Sequence, residues 1–320
     1  VNKLKRTIYT SKPITFVNSK SKKIFIPGFK GLPLYDVARF FIMQVKKVGL
    51  NERAAGISFN LIMALPAGLL FLFSVIPYLP ESLDLRKQLL NLFKDLTPNS
   101  ETYKFIQGLM NDLMKKHTGV FSFGFLLLMF YSSNATMGII RTFDKSIAEN
   151  KKYFLHKRWR AIKLTAILFI LFIAGLLVLI GQQELAKILS KLFHTRISRL
   201  TWWKNIRWLV IITLIFYSIA FIYKFAPSIK KRWSVVSPGS LLATFLTLVT
   251  TIGFSFWVNN FGSYNKVYGS IGTVLIIMFL LFLNSLILLI GFELNVSITY
   301  LKAEAEERQQ KEMSNSPITV

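Results

Sequence analysis

This chain of 320 residues is 52% hydrophobic, has a mean hydropathy of +0.46 and carries a net charge of +25. That composition excludes an ordinary soluble domain and points to an integral membrane protein whose continuous apolar runs are helices, not alternating barrel strands. The absence of cysteine excludes a disulfide framework, a thiolate nucleophile and a Cys-ligated metal. His117, His156 and His194 stand alone, without a partner at helical spacing, and read as loop or interface residues.

Residues 1–35 form a basic arm, with Lys3, Lys5, Arg6, Lys12 and Lys20 among its cations and no acid. No apolar signal core follows it, so it reads as a solvated tail and not as a cleaved targeting segment. From about Tyr35 to Asn51, Val37, Phe40, Phe41, Gln44, Val45 and Val48 recur at helical spacing beside Arg39, Lys46 and Lys47. The stretch is too short and too charged to span, which predicts an interfacial helix on the cytoplasmic leaflet.

The first crossing is expected over about Ala54 to Tyr78, kinked at Pro66, with Gly56, Asn60, Ala64 and Ala67 forming a small-residue stripe for close helix packing. Residues 81–118 carry two short amphipathic patterns separated by Pro98, Asn99 and Ser100, and are expected to cover the outer mouth of the bundle. The second crossing, about Gly119 to Phe143, ends with Tyr131, Asn134, Gly138, Arg141 and Lys145 on one face, and Asp144 is spaced to pair with Arg141. Crossings three and four, about Ala161 to Gly181 and Ile206 to Phe225, carry few polar residues and are expected to face lipid. Trp202, Trp203 and Trp208 mark one interface, and Trp159 and Trp233 the other.

The chain is organised around Ser237 to Tyr300, which reads as a membrane hairpin. Its arms, about Pro238 to Val258 and Ser270 to Ile298, each exceed the ~20 residues that a helix needs to cross a bilayer. A polar turn from Asn259 to Gly269 joins them. In the first arm Ser240, Thr244, Thr247, Thr251 and Ser255 share one helical face. Such hydroxyls either bond back to their own helix and admit a close neighbour, or line a polar path. In the second arm Asn284, Gly291 and Asn295 share a face, while Glu293 and Ser297 lie opposite. A helix polar on two sides belongs inside the bundle, with Glu293 near the membrane boundary reaching water or a neighbouring Lys or Arg.

The fold class is therefore all-α: a six-crossing bundle over residues 36–301, a basic cytoplasmic tail at 1–35 and a charged cytoplasmic tail at 302–320. Basic residues concentrate on the segments this places inside, as the positive-inside rule requires.

Four segments together carry a family likeness: Ala54-Ala55-Gly56-Ile57-Ser58-Phe59, Ser237-Pro238-Gly239, Tyr264-Asn265-Lys266-Val267-Tyr268-Gly269-Ser270-Ile271-Gly272, and Gly291-Phe292-Glu293-Leu294-Asn295. In order and spacing they resemble the YihY/BrkB family of bacterial inner-membrane proteins, over roughly residues 35–300. The block containing Tyr264, Asn265, Tyr268, Gly269 and Gly272 is its most specific part. The resemblance implies a multi-pass inner-membrane protein of unsettled activity, labelled a virulence factor in some members and a ribonuclease in others. It supplies no catalytic residues.

Three function classes can be weighed. A nuclease needs clustered carboxylates for metal ions or a His-based acid and base, and no such spacing occurs, so no catalytic residue, metal or cofactor is expected. A transporter or lipid-handling protein fits better, because polar groups in lipid are costly and mark pathways. Asn60, Asn134, Arg141, Ser240, Thr244, Thr247, Thr251, Asn284 and Glu293 would line its inner cavity, with Arg141 holding an anionic headgroup. A non-transporting scaffold, held by the same polar groups, is the alternative. The expected partners are membrane lipids, anionic ones included; a homo-oligomer is compatible with the pattern, and no nucleic acid is expected because the basic residues are explained by topology and headgroups.

Overall fold

The computed structural model describes residues 28–29, 31–47, 49–75, 107–108, 111, 118–147, 154–192, 201–229, 232–260 and 264–315. The basic arm up to residue 27 and nearly all of the segment expected to cover the outer mouth lie outside them. Among the described residues seven long helices run in order: α1 Leu34–Lys47, α2 Leu50–Val75, α3 Thr118–Asp144, α4 Phe154–Leu192, α5 Thr201–Phe225, α6 Pro238–Asn260 and α7 Tyr264–Asn315. Four stretches of these residues are long and apolar enough to cross a membrane: Ser122–Asp144, Trp208–Phe225, Pro238–Trp257 and Val274–Lys311.

Local sequence explains several boundaries. Gly49, between α1 and α2, has φ of 63°, a left-handed conformation that favours glycine and lets the chain turn at once into the next helix. α6 opens on a reciprocal cap. Ser237 Oγ accepts the Ser240 N–H at 3.2 Å, Ser240 Oγ accepts the Ser237 N–H at 3.0 Å, and Pro238 occupies the first helical position, where a missing N–H costs nothing. α2 runs through Pro66 as one helix.

Lipid tails are as apolar as leucine, so close packing and hydrogen bonds between helices, not apolar burial, must hold such a bundle together. α6 and α7 meet backbone to backbone at Gly239 and Gly291: a Cβ on Gly239 would lie 2.1 Å from the Gly291 carbonyl oxygen. Asn295 ties the same crossing, accepting the Gly239 N–H at 2.9 Å and donating to Ser237 Oγ at 2.9 Å. α5 joins α7 through the buried Tyr223 hydroxyl, which donates to the Leu288 carbonyl at 2.6 Å. α3 joins α4 where the Thr136 and Thr165 hydroxyls lie 2.8 Å apart. Against α2, Gly138 makes room for Asn60, whose amide nitrogen would be 2.8 Å from a Cβ there. α1 lies across this bundle, burying Val37 with Leu294 and Ile298 of α7 while Ile42 and Met43 stay exposed.

Three sequence expectations need correction. Tyr264 to Gly269 are not part of the turn but the first turns of α7, which contains no proline and runs through Gly269 and Gly272. Trp233 is not an interface residue: its ring packs on Phe292 and its Nε1–H donates to Thr299 Oγ1 at 3.0 Å, so the indole dipole is satisfied in the interior. α4 and α5 are not simply lipid-facing, since Ala161, Leu164 and Thr165 of one and Ala220, Ile222 and Tyr223 of the other are buried.

Candidate functional site

The polar groups expected to form one pathway divide into two layers. The first lies where α2 and α6 begin and α3 and α5 end. Arg53 of α2 and Glu293 of α7 form an ion pair at 3.0 Å, with side chains 6% and 0% exposed. Arg53 also donates to the Thr142 carbonyl at 2.5 Å, and the Ser146 hydroxyl donates to the same Glu293 oxygen. Three segments far apart in sequence are thereby fastened around one carboxylate.

A second ionic knot lies beside it. Asp144 closes α3 and pairs with Lys157 at 2.9 Å and with Arg160 at 3.6 Å, both from the first turns of α4. It also accepts the Ser228 N–H at 3.2 Å, while Arg160 donates to Ser228 Oγ at 2.6 Å. Asp144 is thus held by partners on α4 and beyond α5, and Arg141, which spacing places within reach of it, is exposed. Asn134 accepts a hydrogen bond from Arg158 Nη1 at 2.6 Å.

Directly beside these ionic groups the chemistry changes. Phe143 and Phe292 stack at 3.7 Å with rings 7° from parallel, and Tyr223 and Trp233 pack around Phe292. One turn above these rings, at Ile139 and Leu288, a cavity of about 620 Å³ begins. It is walled by side chains of α2 to α7, chiefly Leu61, Phe71, Leu128, Leu168, Phe172, Ile215 and Ile219. The polar groups on its wall are Ser132, Thr136, Thr165, Ser218, Thr247, Asn284 and Ser285, and among the described residues no charged side chain lines it. The volume falls within the ~300–1,000 Å³ typical of small-molecule sites. On α7 the wall runs from Leu288, five residues before Glu293, to Asn284, nine residues before it, so at 1.5 Å per residue it begins about 7.5 Å from the ion pair along the helix.

Of the nine pathway residues, only Thr247 and Asn284 line the cavity. Ser240 and Thr244 are buried, as the inward face requires, and Thr244 bonds the Ser240 carbonyl at 2.7 Å. Thr251 is exposed. Asn60 donates to the Gly56 carbonyl at 2.7 Å, and Asn284 to the Leu280 carbonyl at 3.0 Å, each on its own helix. Glu293, Asn134 and Arg141 are not on the cavity wall. Tyr264, Asn265, Tyr268, Gly269 and Gly272 lie in the opening turns of α7. Sequence reading missed Arg53, Ser146, Lys157, Arg160, Ser228 and Tyr223 as structural partners. Arg53 left one signal, an arginine followed at once by Ala54, Ala55, Gly56 and Ile57 on an otherwise apolar helix.

The comparisons with known proteins agree with the family likeness of the sequence. The profile of the virulence factor BrkB family matches residues 41–316. The ribonuclease-like protein YfkH of Bacillus subtilis is 26% identical over 260 residues, which cover 80% of this chain and 93% of that protein. The UPF0761 membrane protein of Tolumonas auensis is 32% identical over 80 residues, 25% of this chain and 26% of its own length. That of Pseudoalteromonas translucida is 30% identical over 78 residues, 24% and 26% respectively. No solved structure matches the chain. With apolar helices of spanning length and a family profile that covers most of its residues, the chain is an integral membrane protein that belongs to the BrkB family.

Proposed function

We propose that this protein handles a membrane amphipath, binding its alkyl portion in the cavity enclosed by α2 to α7, as a transporter or lipid-handling protein of the bacterial inner membrane. The observation that carries this reading is the cavity itself: among the described residues its wall is mostly hydrocarbon, with hydroxyls and the Asn284 amide but no charged side chain, a surface poorly matched to a strongly hydrophilic solute. An acyl or prenyl chain suits such walls. In this reading α2 to α7 are six crossings, and α1, with Ile42 and Met43 exposed, lies in the interface. Lys157, Arg158, Arg160, Lys224 and Arg232 gather at the end where α2 begins, which the positive-inside rule assigns to the cytoplasm together with both termini.

A specific observation favours a second reading, that of a scaffold without cargo. Thr244, Asn284, Ser285 and Ser297 all donate to carbonyls of their own helices, as expected when such groups serve helix packing alone. A hydrolytic reading, suggested by the name of the Bacillus subtilis relative, has less support. Among the described residues no three His, Cys, Asp or Glu side chains gather, and Asp144 and Glu293 are both engaged by cations.

Purification in native-lipid discs, followed by mass spectrometry of what is retained, tests the proposal. Lipid handling predicts a lipid enriched over the bulk membrane and lost in a cavity-filling Ala64→Trp variant that still elutes as a folded protein. Retained lipid of bulk composition in both proteins would leave the scaffold reading.

A further inference from the structure

The helix pairs around the cavity are not closed alike. α2 and α3 interlock where Gly138 receives Asn60, and α3 and α4 through Thr136 and Thr165. α4 meets α5 at Gly175, where a Cβ would lie 2.4 Å from Leu214 Cδ1. α6 and α7 are joined at Gly239 and Gly291, and α5 and α7 through Tyr223. Between α5 and α6, among the described residues, no side-chain hydrogen bond and no glycine contact of this kind occurs at the depth of the cavity.

This seam instead has space on both sides. On its inner side Ser218 of α5 and Thr247 of α6 face the cavity. On its outer side a second hollow of about 450 Å³ lies between the same two helices, lined by apolar side chains together with Thr213, Tyr217 and Thr244. Its rim is open to the surroundings of the bundle: Leu241 is 54% and Phe245 63% exposed. Inner and outer hollows thus sit back to back across a pair of helices that, among the described residues, no side-chain hydrogen bond joins, and hydroxyls occur on both faces of the seam. In a bilayer the alkyl walls offer a chain no penalty, while the hydroxyls supply the donors and acceptors that a polar linkage would otherwise lose on leaving water.

We propose that the seam between α5 and α6 is a lateral portal through which a phospholipid acyl chain passes from the bilayer into the central cavity, with the outer hollow as its first binding position. This rests on the lipid-handling reading above and adds the route and the class of cargo. Among the described residues no charged side chain lines either hollow, so the portion of the lipid that enters is uncharged, and an ionised headgroup stays outside the cavity.

The absence of native cysteine makes the test direct. Tyr217→Cys and Leu241→Cys, on opposite helices of the outer hollow, would be joined after purification by bis-methanethiosulfonate linkers of graded length. Uptake would be read as ultraviolet labelling of the cavity-lining helices by a phosphatidylglycerol carrying a diazirine in its acyl chain, supplied in phosphatidylethanolamine vesicles. The shortest linker that closes the pair should abolish labelling at the cavity depth, longer linkers should spare it, and dithiothreitol should restore it. Each protein is its own folded control, since the staple is added and removed on the folded chain. Unchanged labelling with the seam fully stapled, while Ala64→Trp still abolishes it, would overturn the portal and leave the cavity reading intact. Labelling insensitive to Ala64→Trp would overturn both.

Discussion

Replacing Glu293 with alanine removes the carboxylate partner that Arg53 has among the described residues, and the guanidinium cannot escape to water because its side chain is 6% exposed. Breaking one member of a buried ion pair typically costs about 3–5 kcal/mol, because the remaining charge stays desolvated. Arg53 keeps its 2.5 Å bond to the Thr142 carbonyl, which places the expected loss near the lower end, about 3 kcal/mol. Arg53→Leu combined with Glu293→Leu removes both charges and should recover most of that loss, since apolar replacement of a buried pair is often neutral. The exposed pair of Arg308 and Glu304 supplies the control: Arg308→Ala should cost at most about 1 kcal/mol. Thermal midpoints in one detergent, followed by tryptophan fluorescence, compare the three variants with the parent. If Glu293→Ala lost no more than Arg308→Ala, or if the double variant fell as far as Glu293→Ala, the pair would not be the desolvated clamp described above.

The glycine contact gives a sharper steric expectation. Gly239→Ala should cost at least about 1–3 kcal/mol through forced separation of α6 and α7. Gly253→Ala in the same helix, which meets open space, should gain about 0.5–1 kcal/mol, read by the same thermal midpoints. Asp144→Asn removes the charge facing Lys157 and Arg160 and should lower the midpoint by more than Glu304→Gln does. Tyr223→Phe deletes a buried hydroxyl whose acceptor is the Leu288 carbonyl and should cost about 0.5–1.5 kcal/mol, measured by chemical unfolding, with lipid retention unaffected.

The positions of the helices were legible because an apolar run longer than ~20 residues has few alternatives in a bilayer. The inward face of α6 was legible for the same geometric reason. Ser240 and Thr244 are buried while Leu241 and Phe245 point away. Helical spacing does not say how far a neighbour extends, however, and beyond Thr247 the stripe continues outward as the exposed Thr251 and Ser255. Glu293 was expected to reach water or a neighbouring Lys or Arg; it is fully buried, so only the cation remains, and that partner is 240 residues away in sequence. That choice depends on the rotation of α2 against α7, which long-range packing sets and no local spacing encodes. Trp233 shows the complementary failure. The interfacial preference of tryptophan is statistical, and the hydroxyl of Thr299 offered its N–H a partner inside.

α7 is an unbroken helix of 52 residues, about 78 Å at 1.5 Å per residue, against a hydrocarbon core of about 30 Å. One stiff shaft therefore carries Asn284 at the cavity wall, Glu293 in the clamp, Tyr300 stacked on Phe40 of α1, and the charged turns around Arg308 beyond the bundle. Torque applied to that protruding end has no hinge in which to dissipate. A protein gripping it would twist the wall of the hollow 30 Å or so away without touching the cargo.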